Sequence, residues 1–267
     1  MKTRRPNTPQ HIKDLMVELY LSGKTAEEST RPFGYPSWAC IDELRKRKIN
    51  RRNRREYVLD EDFFNKIDTE EKAYWLGFIT ADGSVTKGRL TICLASIDKN
   101  HIKKFIKDIK SESFVVDRVD FIKDRKRSTC TSSIHSIKIV NSLNNLGITP
   151  NKTFTVKPCL DVPSDLIRHY WRGVIDGDGC IGNYQNKWRI ELVGNQYMVK
   201  GFSNWVESLV STKAKPRQVK NSWNVQYSGN KIAIKLANIL YYNCSVFLDR
   251  KKELADLAIK ETDYANP

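Results

Sequence analysis

Two aspartates that each close the same ten-residue pattern are the residues of this 267-residue chain best suited to chemistry. Residues 74–83 read YWLGFITADG and residues 170–179 read YWRGVIDGDG, so Asp82 and Asp178 occupy equivalent places. A single Asp-Gly pair is usually a turn, but two matching copies indicate a duplicated functional element. Paired carboxylates attract hard divalent cations, with Mg²⁺ favoured and Mn²⁺ as a substitute, and such ions assist phosphodiester hydrolysis.

The spacing of small residues predicts how the two aspartates come together. In each copy, small residues stand four positions apart and therefore share one face of a helix. Small side chains there allow two helix backbones to approach closely. We therefore predict that the motif helices pack side by side and bring Asp82 and Asp178 to one end, with Gly83 and Gly179 as left-handed, helix-ending residues. The predicted interface consists of Gly77, Ala81, Gly173 and Gly177, of which Ala81 and Gly177 also belong to the predicted metal site.

The segments after each copy repeat the same order of elements. The first copy is followed by patterns typical of a strand at 89–96, a helix near 102–109, and strands at 114–122 and 132–140. The second copy is followed by a strand around Ile190 and Leu192, a helix near 199–209, and strands near Arg217 and at 223–227. Each half therefore reads αββαββα, and an internally duplicated α+β protein is predicted.

The motif copies at 75–83 and 171–179 resemble those of the LAGLIDADG homing endonucleases in their single-chain, two-motif form. The lead-in at 60–73, DEDFFNKIDTEEKA, is similar to the segment before the first motif in many members, and the resemblance extends from there to the C-terminus. It implies two pseudo-symmetric repeats that form a saddle of antiparallel sheets in the DNA major groove. It also implies that Asp82 and Asp178 bind the catalytic metal, and that Thr80, which replaces an acid of the family pattern, does not.

The resemblance further implies a lysine close to the active-site solvent near the end of each repeat. The segments GITPNKT at 147–153 and FLDRKKE at 247–253 point to Lys152 and Lys251 as catalytic residues, with Arg250 as a less favoured substitute. Solvated surface lysines are the alternative interpretation. In the family, a polar residue after the first strand pair of each half also approaches the metals, and the residues in that region are Asp98 and either Asn195 or Gln196.

Polar side chains at alternating strand positions are the candidates for base recognition, with Lys138 assigned to the DNA-facing phase of the strand predicted at 132–140. Arginine, lysine, asparagine and glutamine are the side chains that read base edges in the major groove. An exposed strand face is polar in any protein, so simple solvation is the alternative. The candidate contacts are Arg89, Lys138, Arg189, Arg217, Asn224 and Gln226.

Residues 10–48 form a separate pattern of three predicted helices. Ile12, Leu15, Met16 and Leu19 are spaced as an amphipathic helix that ends near Gly23, followed by a short helix at 25–29, a turn at Gly34 and a helix at 37–48. This order is typical of a helix-turn-helix and resembles the small DNA-binding units of transposases and resolvases. The residues expected to face DNA are Ser37, Trp38 and Asp42, and a three-helix unit that never touches DNA is the alternative.

A run of basic residues follows these helices. From Arg45 to Arg55, eight of eleven residues are Lys or Arg, which favours phosphate contacts by side chains such as Arg51 and Arg52. A nuclear-localisation signal is the alternative interpretation of this run. The whole chain carries a formal net charge of +15, which favours a polyanionic partner such as nucleic acid.

The composition excludes several other classes of protein. Hydrophobic residues make up 40% of the chain, a proportion typical of globular proteins and not of disordered ones. No segment approaches the roughly 18 apolar residues of a membrane span, and no apolar stretch follows the basic N-terminus, so a cytoplasmic protein of a bacterial, phage or organellar setting is expected. The six cysteines and four histidines are scattered without zinc-binding spacing, which predicts reduced thiols.

These inferences predict a helix-turn-helix-like domain with a basic linker at 1–56, a first repeat at 57–158 and a second repeat at 159–267. The resemblance implies that the chain is a monomeric, site-specific double-strand DNA endonuclease that leaves short 3′ overhangs at a long target site. A non-catalytic DNA-binding regulator and a maturase that binds its host intron RNA are the alternatives. A free-standing or intron-borne gene is favoured over an intein, because no splicing-domain residues flank the repeats.

Overall fold

The computed structural model describes residues 8–50, 58–122, 125–212 and 214–265. The chain divides into two compact units, residues 1–56 and residues 57–267. No helix among the residues described is both long and apolar enough to cross a membrane.

The N-terminal unit contains three α-helices in its described part. They are α1 (Gln10–Leu21), α2 (Ala26–Thr30) and α3 (Ser37–Lys46), with a single 3-10 turn at Arg31–Phe33. Thr25 and Glu28 form a reciprocal capping box at the start of α2, and Gly34 takes a left-handed conformation (φ 71°) before α3. Met16, Cys40 and Leu44 are fully buried between α1 and α3. The three predicted helices and the turn are confirmed.

The larger unit begins with the first αββαββα repeat. Its elements are α4 (Glu70–Asp82), β1 (Gly83–Thr86), β2 (Arg89–Ala95), α5 (Lys99–Asp108), β3 (Val116–Ile122), β4 (Arg125–His135) and α6 (Ile137–Asn145). The four strands form an antiparallel sheet in the order β1-β2-β4-β3. Leu90, Ile92 and Leu94 alternate along β2 and are buried on the face that the helices cover.

The second repeat follows the same order. Its elements are α7 (Ile167–Asp178), β5 (Gly179–Tyr184), β6 (Lys187–Gly194), α8 (Gln196–Leu209), β7 (Arg217–Val219), β8 (Ser222–Ser228) and α9 (Asn230–Tyr241), with α10 (Asp249–Ala265) after them. Its sheet is also antiparallel, in the order β5-β6-β8-β7. The predicted α+β class and the duplicated order of elements are confirmed. Buried residues of both repeats belong to one continuous hydrophobic core.

The strand predicted at 132–140 is wrong beyond His135. Ser136 ends the strand and caps α6, because its hydroxyl accepts a hydrogen bond from the backbone N–H of Ile139 (3.1 Å). Lys138 therefore lies on a helix, where its ammonium group pairs with Asp62 at 2.6 Å. Its alternation with isoleucines satisfied a strand pattern, but the buried residues Ile139, Val140 and Leu143 follow helical spacing.

Within the described part of the larger unit, each sheet has one face that the helices of its own repeat do not cover, and we call these faces the first and second open faces. The first open face carries Arg89, Thr91, Cys93 and their β4 neighbours Ser133 and His135. The second carries the alternate positions of β6 and β8, with Arg217 on β7 beside them. Those β6 and β8 positions are Arg189, Glu191, Val193, Asn224 and Gln226.

Candidate active site

The two motif helices α4 and α7 pack backbone against backbone. A Cβ atom added at Gly77 would overlap the carbonyl oxygen of Tyr170, and one added at Gly173 would overlap that of Tyr74. Both overlaps lie far inside the 3.0 Å that Cβ atoms keep from their neighbours. The predicted close packing at these two glycines is therefore present, and no larger residue fits there without moving a helix.

The same interface continues to the C-terminal ends of the helices. A Cβ atom added at Gly177 would overlap that of Ala81 and would lie 3.4 Å from a carboxylate oxygen of Asp82. The last residue of α4 is Asp82 and the last residue of α7 is Asp178. The predicted juxtaposition of the two motif ends is thus what the structure shows, and it depends on the small residues at 81 and 177.

The glycines after the two aspartates do not take the predicted left-handed conformation. Gly83 has φ −76° and ψ 144°, and Gly179 has φ −94° and ψ 174°, so both continue directly into the strands β1 and β5. Glycine is required for a different reason. An added Cβ would lie 2.7 Å from the carbonyl oxygen of Ile79 or Ile175, respectively, one turn back in the helix.

The two carboxyl groups share a crowded environment with opposing electrostatic effects. Asp82 is half-buried and Asp178 is exposed on one side, but protein atoms remove much of the hydration of both carboxyls. This loss of hydration raises the pKa of Asp82, and with the nearby charge of Asp82 it raises the pKa of Asp178 to about 6. Lys152 and Lys251 lower both pKa values. Burial is therefore the larger cause of both raised pKa values, and the neighbouring cations counteract it.

Each predicted lysine is buried and binds the end of the motif helix in its own half. The ammonium group of Lys152 donates to the carbonyl oxygens of Thr80 (2.7 Å) and Ala81 (3.1 Å). The ammonium group of Lys251 donates to those of Ile175 (2.6 Å), Asp176 (2.7 Å) and Gly179 (2.7 Å). The alternative of solvated surface lysines is wrong, since only 8% and 3% of these residues is exposed. Both cations satisfy carbonyls at a helix C-terminus, where positive charge is favoured.

The further polar residues of the predicted site have partners of their own. Asp98 pairs with Arg250 at 3.1 Å, and Asp98 raises the pKa of Asp82 while Arg250 lowers it. Asn195 instead caps α8, because its side-chain oxygen accepts from the N–H groups of Tyr197 and Met198. The region after the first strand pair thus brings a charged pair to the first half and an uncharged helix cap to the second.

A buried carboxylate that the sequence analysis did not single out lies beneath the site. Asp176, at the sixth position of the second motif, accepts hydrogen bonds from the hydroxyls of Tyr74 (2.6 Å) and Tyr241 (2.5 Å) and from the N–H of Leu248 (2.8 Å). Burial raises its pKa, while Lys251 and the two tyrosine hydroxyls lower it. The signal available in the sequence was the acid itself, because ionisable residues are seldom buried without partners.

The sequence analysis also did not identify an ion pair that joins the two repeats. Arg172 on α7 is fully buried, and its guanidinium donates to Glu70 at the start of α4 (2.6 Å) and to the carbonyl oxygens of Leu240 and Val246. Glu70 also accepts from the backbone N–H of Ser245 (2.7 Å). These contacts join the N-terminal end of one motif helix to the interior of the other.

The residues present fit a hard divalent cation. Among the residues described, no three His, Cys, Asp or Glu side chains cluster as a metal site. The candidate donors are instead the two carboxylates of Asp82 and Asp178 and neighbouring backbone oxygens such as that of Ala81. This all-oxygen donor set suits Mg²⁺ or Mn²⁺. A cavity of about 470 Å³ borders Asp178, Gly177 and Lys152, so solvent reaches the acid from this side.

The predicted base-reading residues fall into two groups. Arg89 lies on the first open face, while Arg189, Arg217, Asn224 and Gln226 share the second, where Arg217, Asn224 and Gln226 border a recess of about 370 Å³. Lys138 lies on α6 instead, which removes the reason for assigning it to the DNA-facing surface. In the N-terminal unit, Ser37 and Trp38 occupy the first turn of α3 and Trp38 is 46% exposed. Arg51 and Arg52 lie outside the described residues.

No protein-family model and no curated protein matches the chain. Solved structures do. The homing endonuclease I-WcaI bound to its DNA recognition sequence shares 13% identity, with 73% of this chain and 91% of that chain covered and a TM-score of 0.52. The N-terminal LAGLIDADG domain of DUF199/WhiA shares 14% identity over 68% of this chain and 89% of that chain, with a TM-score of 0.45. The meganuclease I-AabMI bound to uncleaved DNA shares 14% identity over 73% and 93%, with a TM-score of 0.44.

The fold and the site define a class of α+β protein in which two helices, each ending in an aspartate, join two equivalent repeats. The chain has the LAGLIDADG fold, as the resemblance of its motifs predicted and as the structure of the homing endonuclease I-WcaI shows. At identities this low, the likeness establishes the fold alone.

Proposed function

We propose that this chain is a site-specific, divalent-metal-dependent double-strand DNA endonuclease. The observation that carries the proposal is the packing of α4 against α7, which places Asp82 and Asp178 at adjoining helix ends, each end bound by a buried lysine. A purely structural helix pair has no need to crowd two carboxylates at partly negative helix termini. The arrangement suits a reaction in which a divalent metal ion, bound together with the DNA, supplies positive charge.

In this proposal each acid would serve one strand of the DNA. Asp82 and Asp178 would together hold Mg²⁺, for which Mn²⁺ would substitute, with backbone oxygens at Ala81 and Gly177 beside them. When bound, the ion supplies a Lewis acid that activates water and offsets charge on the leaving oxygen. Lys152 and Lys251 hold the helix ends in place and keep positive charge beside the scissile phosphates. Cutting across the minor groove would leave short 3′ overhangs.

The proposed substrate is DNA with a long target site, bound by a monomer. The two open faces would lie in the major groove, with α3 and the basic segment at 45–55 as further contacts. The net charge of +15 supports a polyanionic partner, and the similar endonuclease structures are described as bound to DNA. We further propose a cytoplasmic setting.

The test begins with the target site. The full-length chain is used to enrich binding sites from a random double-stranded DNA library, and the enriched site is cloned into a plasmid. We expect linear product in Mg²⁺ or Mn²⁺ and none in EDTA. Asp82→Asn and Asp178→Asn should each abolish linearisation, whereas Lys138→Ala, which changes an exposed helix residue, should not.

Two outcomes would overturn the proposal. Tight binding to the enriched site without cutting in either metal would support a DNA-binding regulator instead. Cutting that persists in both aspartate variants would place the active site elsewhere. Splicing of a host intron, measured with the same preparations, would show that the chain also acts as a maturase.

A further inference from the structure

The two open faces carry an arginine at equivalent positions but give it different neighbours. A glycine follows each motif helix and pairs with a residue of the adjacent strand, Gly83 with Ile92 and Gly179 with Leu192. Arg89 and Arg189 therefore occupy the same place, three residues before these partners. Two residues further along, β2 has Thr91 and β6 has Glu191. The duplication has placed a hydroxyl near one arginine and a carboxylate near the other.

The carboxylate and its neighbours hold Arg189 in a defined position. Its guanidinium carbon lies 3.9 Å from the ring centre of Tyr184, and Nη1 donates to the side-chain oxygen of Gln226 at 3.4 Å. A carboxylate oxygen of Glu191 lies 3.8 Å from Nε, an ion-pair distance. Stacking on one side and charge on the other restrict the arginine while 29% of its side chain stays exposed.

Glu191 also orients a second candidate base reader. Its other carboxylate oxygen accepts a hydrogen bond from the amide of Asn224 at 2.8 Å, across the pair of strands β6 and β8. Asn224 lines the recess of the second open face beside Arg217. On the first open face Thr91, the equivalent of Glu191, instead contacts the hydroxyl of Ser133, its direct partner on β4, at 3.1 Å. Among the residues described, Glu191 thus holds two polar readers of the second face, Arg189 and Asn224, through one carboxylate.

We propose that Arg189 reads a guanine in the half of the target bound by the second open face, and that Glu191 is the positioning residue that determines this specificity. An arginine recognises guanine by two parallel hydrogen bonds to O6 and N7, so a restrained guanidinium discriminates better than a mobile one. Removing the carboxylate frees Arg189 and Asn224 while it lowers repulsion of the phosphates. Base preference and total affinity should then change in opposite directions. This inference rests on the proposed function.

The experiment measures base preference separately from affinity. Full-length chains carrying both Asp82→Asn and Asp178→Asn, so that bound DNA stays intact, are used to enrich a random double-stranded library at fixed salt, and the bound DNA is sequenced. We expect one guanine position whose preference falls by about fivefold or more in Glu191→Thr and in Arg189→Lys. Glu191→Thr should at the same time bind unrelated DNA more tightly than the parent. The matched control Glu207→Thr, which removes an exposed carboxylate from helix α8, should leave the guanine preference unchanged.

Specific outcomes would overturn the inference. If a target site is enriched but its profile is the same in Glu191→Thr as in the parent, Glu191 does not determine specificity. If Arg189→Lys alone loses the guanine, Arg189 reads the base without help from Glu191. If no sequence is enriched by any variant, site-specific binding is absent and the proposed function fails with it. Matching urea unfolding curves for parent and variants exclude a general loss of structure.

Discussion

Asp176 and Thr80 occupy the same position in two copies of one motif but have different partners. Asp176 accepts three hydrogen bonds from the surrounding elements, whereas the hydroxyl of Thr80 donates to the carbonyl of Leu76 in its own helix (2.7 Å). The tyrosine hydroxyl of the opposite motif helix lies beside each of them, Tyr74 beside Asp176 and Tyr170 beside Thr80. One duplicated contact has thus become ionic in the second half and has stayed neutral in the first.

We expect Asp176→Asn to destabilise the fold by about 2–3 kcal/mol, because one carboxylate oxygen becomes an N–H group facing buried donors. Thr80→Val removes the hydrogen bond to Leu76 and the contact with the hydroxyl of Tyr170, both uncharged, and should cost about 1 kcal/mol. Urea unfolding followed by circular dichroism measures both. Equal losses in the two variants would show that Asp176 does not join the surrounding elements.

The two lysines of the site predict a graded effect. Lys251→Met leaves three carbonyl oxygens without their ammonium donor and Lys152→Met leaves two. Each unsatisfied buried polar group costs about 1–3 kcal/mol, so Lys251→Met should be the more destabilising change. Urea unfolding in EDTA isolates this effect from any metal binding. A larger loss in Lys152→Met would contradict the assignment of the lysines as helix caps.

At the scale of elements, the pair α4 and α7 determines the geometry of the site. Gly77 and Gly173 each face the backbone of the other helix, and Ala81 and Gly177 let the helix ends meet. The ion pair of Arg172 with Glu70 secures the opposite end of the same interface. Since both acids lie at the last residue of these helices, a change in helix separation moves them directly.

Gly173→Ala should therefore be far more damaging than its single methyl group suggests. The new Cβ would overlap the carbonyl of Tyr74 and approach the N–H of Phe78, both of which are backbone atoms that cannot rotate away. We expect the free energy of unfolding to fall by about 3 kcal/mol, at the upper end of the range for overpacked cores. DNA cleavage should be lost as well. Gly194→Ala is the matched control, because its Cβ would meet only side-chain atoms at 3.8 Å or more. Similar unfolding midpoints for the two variants would refute this account.

At the scale of the whole molecule, buried histidines link stability to pH. Burial lowers the pKa of His101 to about 3 and that of His169 to about 4, both from an ordinary value of 6.5. The unfolded chain binds protons below about pH 6.5 while the folded chain does not. Full stability is therefore present above pH 6.5 and is lost as the pH falls towards 4 and then 3.

For His101 alone we expect a loss of about 2 kcal/mol between pH 7.5 and pH 5. Urea unfolding at the two pH values measures this difference. The variant His101→Gln, which removes the titrating group, should reduce the difference. The control Gly194→Ala removes no titratable group and should leave the difference unchanged. An unaltered pH dependence in His101→Gln would show that other groups cause the acid sensitivity.

The basic segment predicts how salt controls DNA binding by the complete chain. Each arginine that contacts a phosphate contributes about −0.9 to the slope of log K against log salt concentration. Replacing Arg51 and Arg52 by alanine should therefore make the slope shallower by about 2. Lys138→Ala should leave it unchanged, because Lys138 lies on helix α6 and its ammonium group already pairs with Asp62 at 2.6 Å. Fluorescence anisotropy over a range of salt concentrations gives the slopes.

The sequence by itself determined the duplication, the order of elements in each repeat and the identity of Asp82 and Asp178. These follow from local repetition and from the spacing of apolar residues, which a chain displays without any tertiary contact. The same local rules failed at Lys138, where strand and helix patterns overlap over five residues, and at Gly83 and Gly179, where an Asp-Gly pair is compatible with several backbone conformations.

Only the tertiary structure decided which partners the polar residues would have. Lys152 and Lys251 bind carbonyl groups that lie 71 to 76 residues away in the sequence. Arg250 pairs with Asp98, which lies 152 residues away. Asp176 and Glu191 are single acids in the sequence, and their roles depend on tyrosines and amides brought from other elements. Hydrogen bonds and ion pairs are short-range and directional, so they depend on three-dimensional placement that spacing along the chain does not encode.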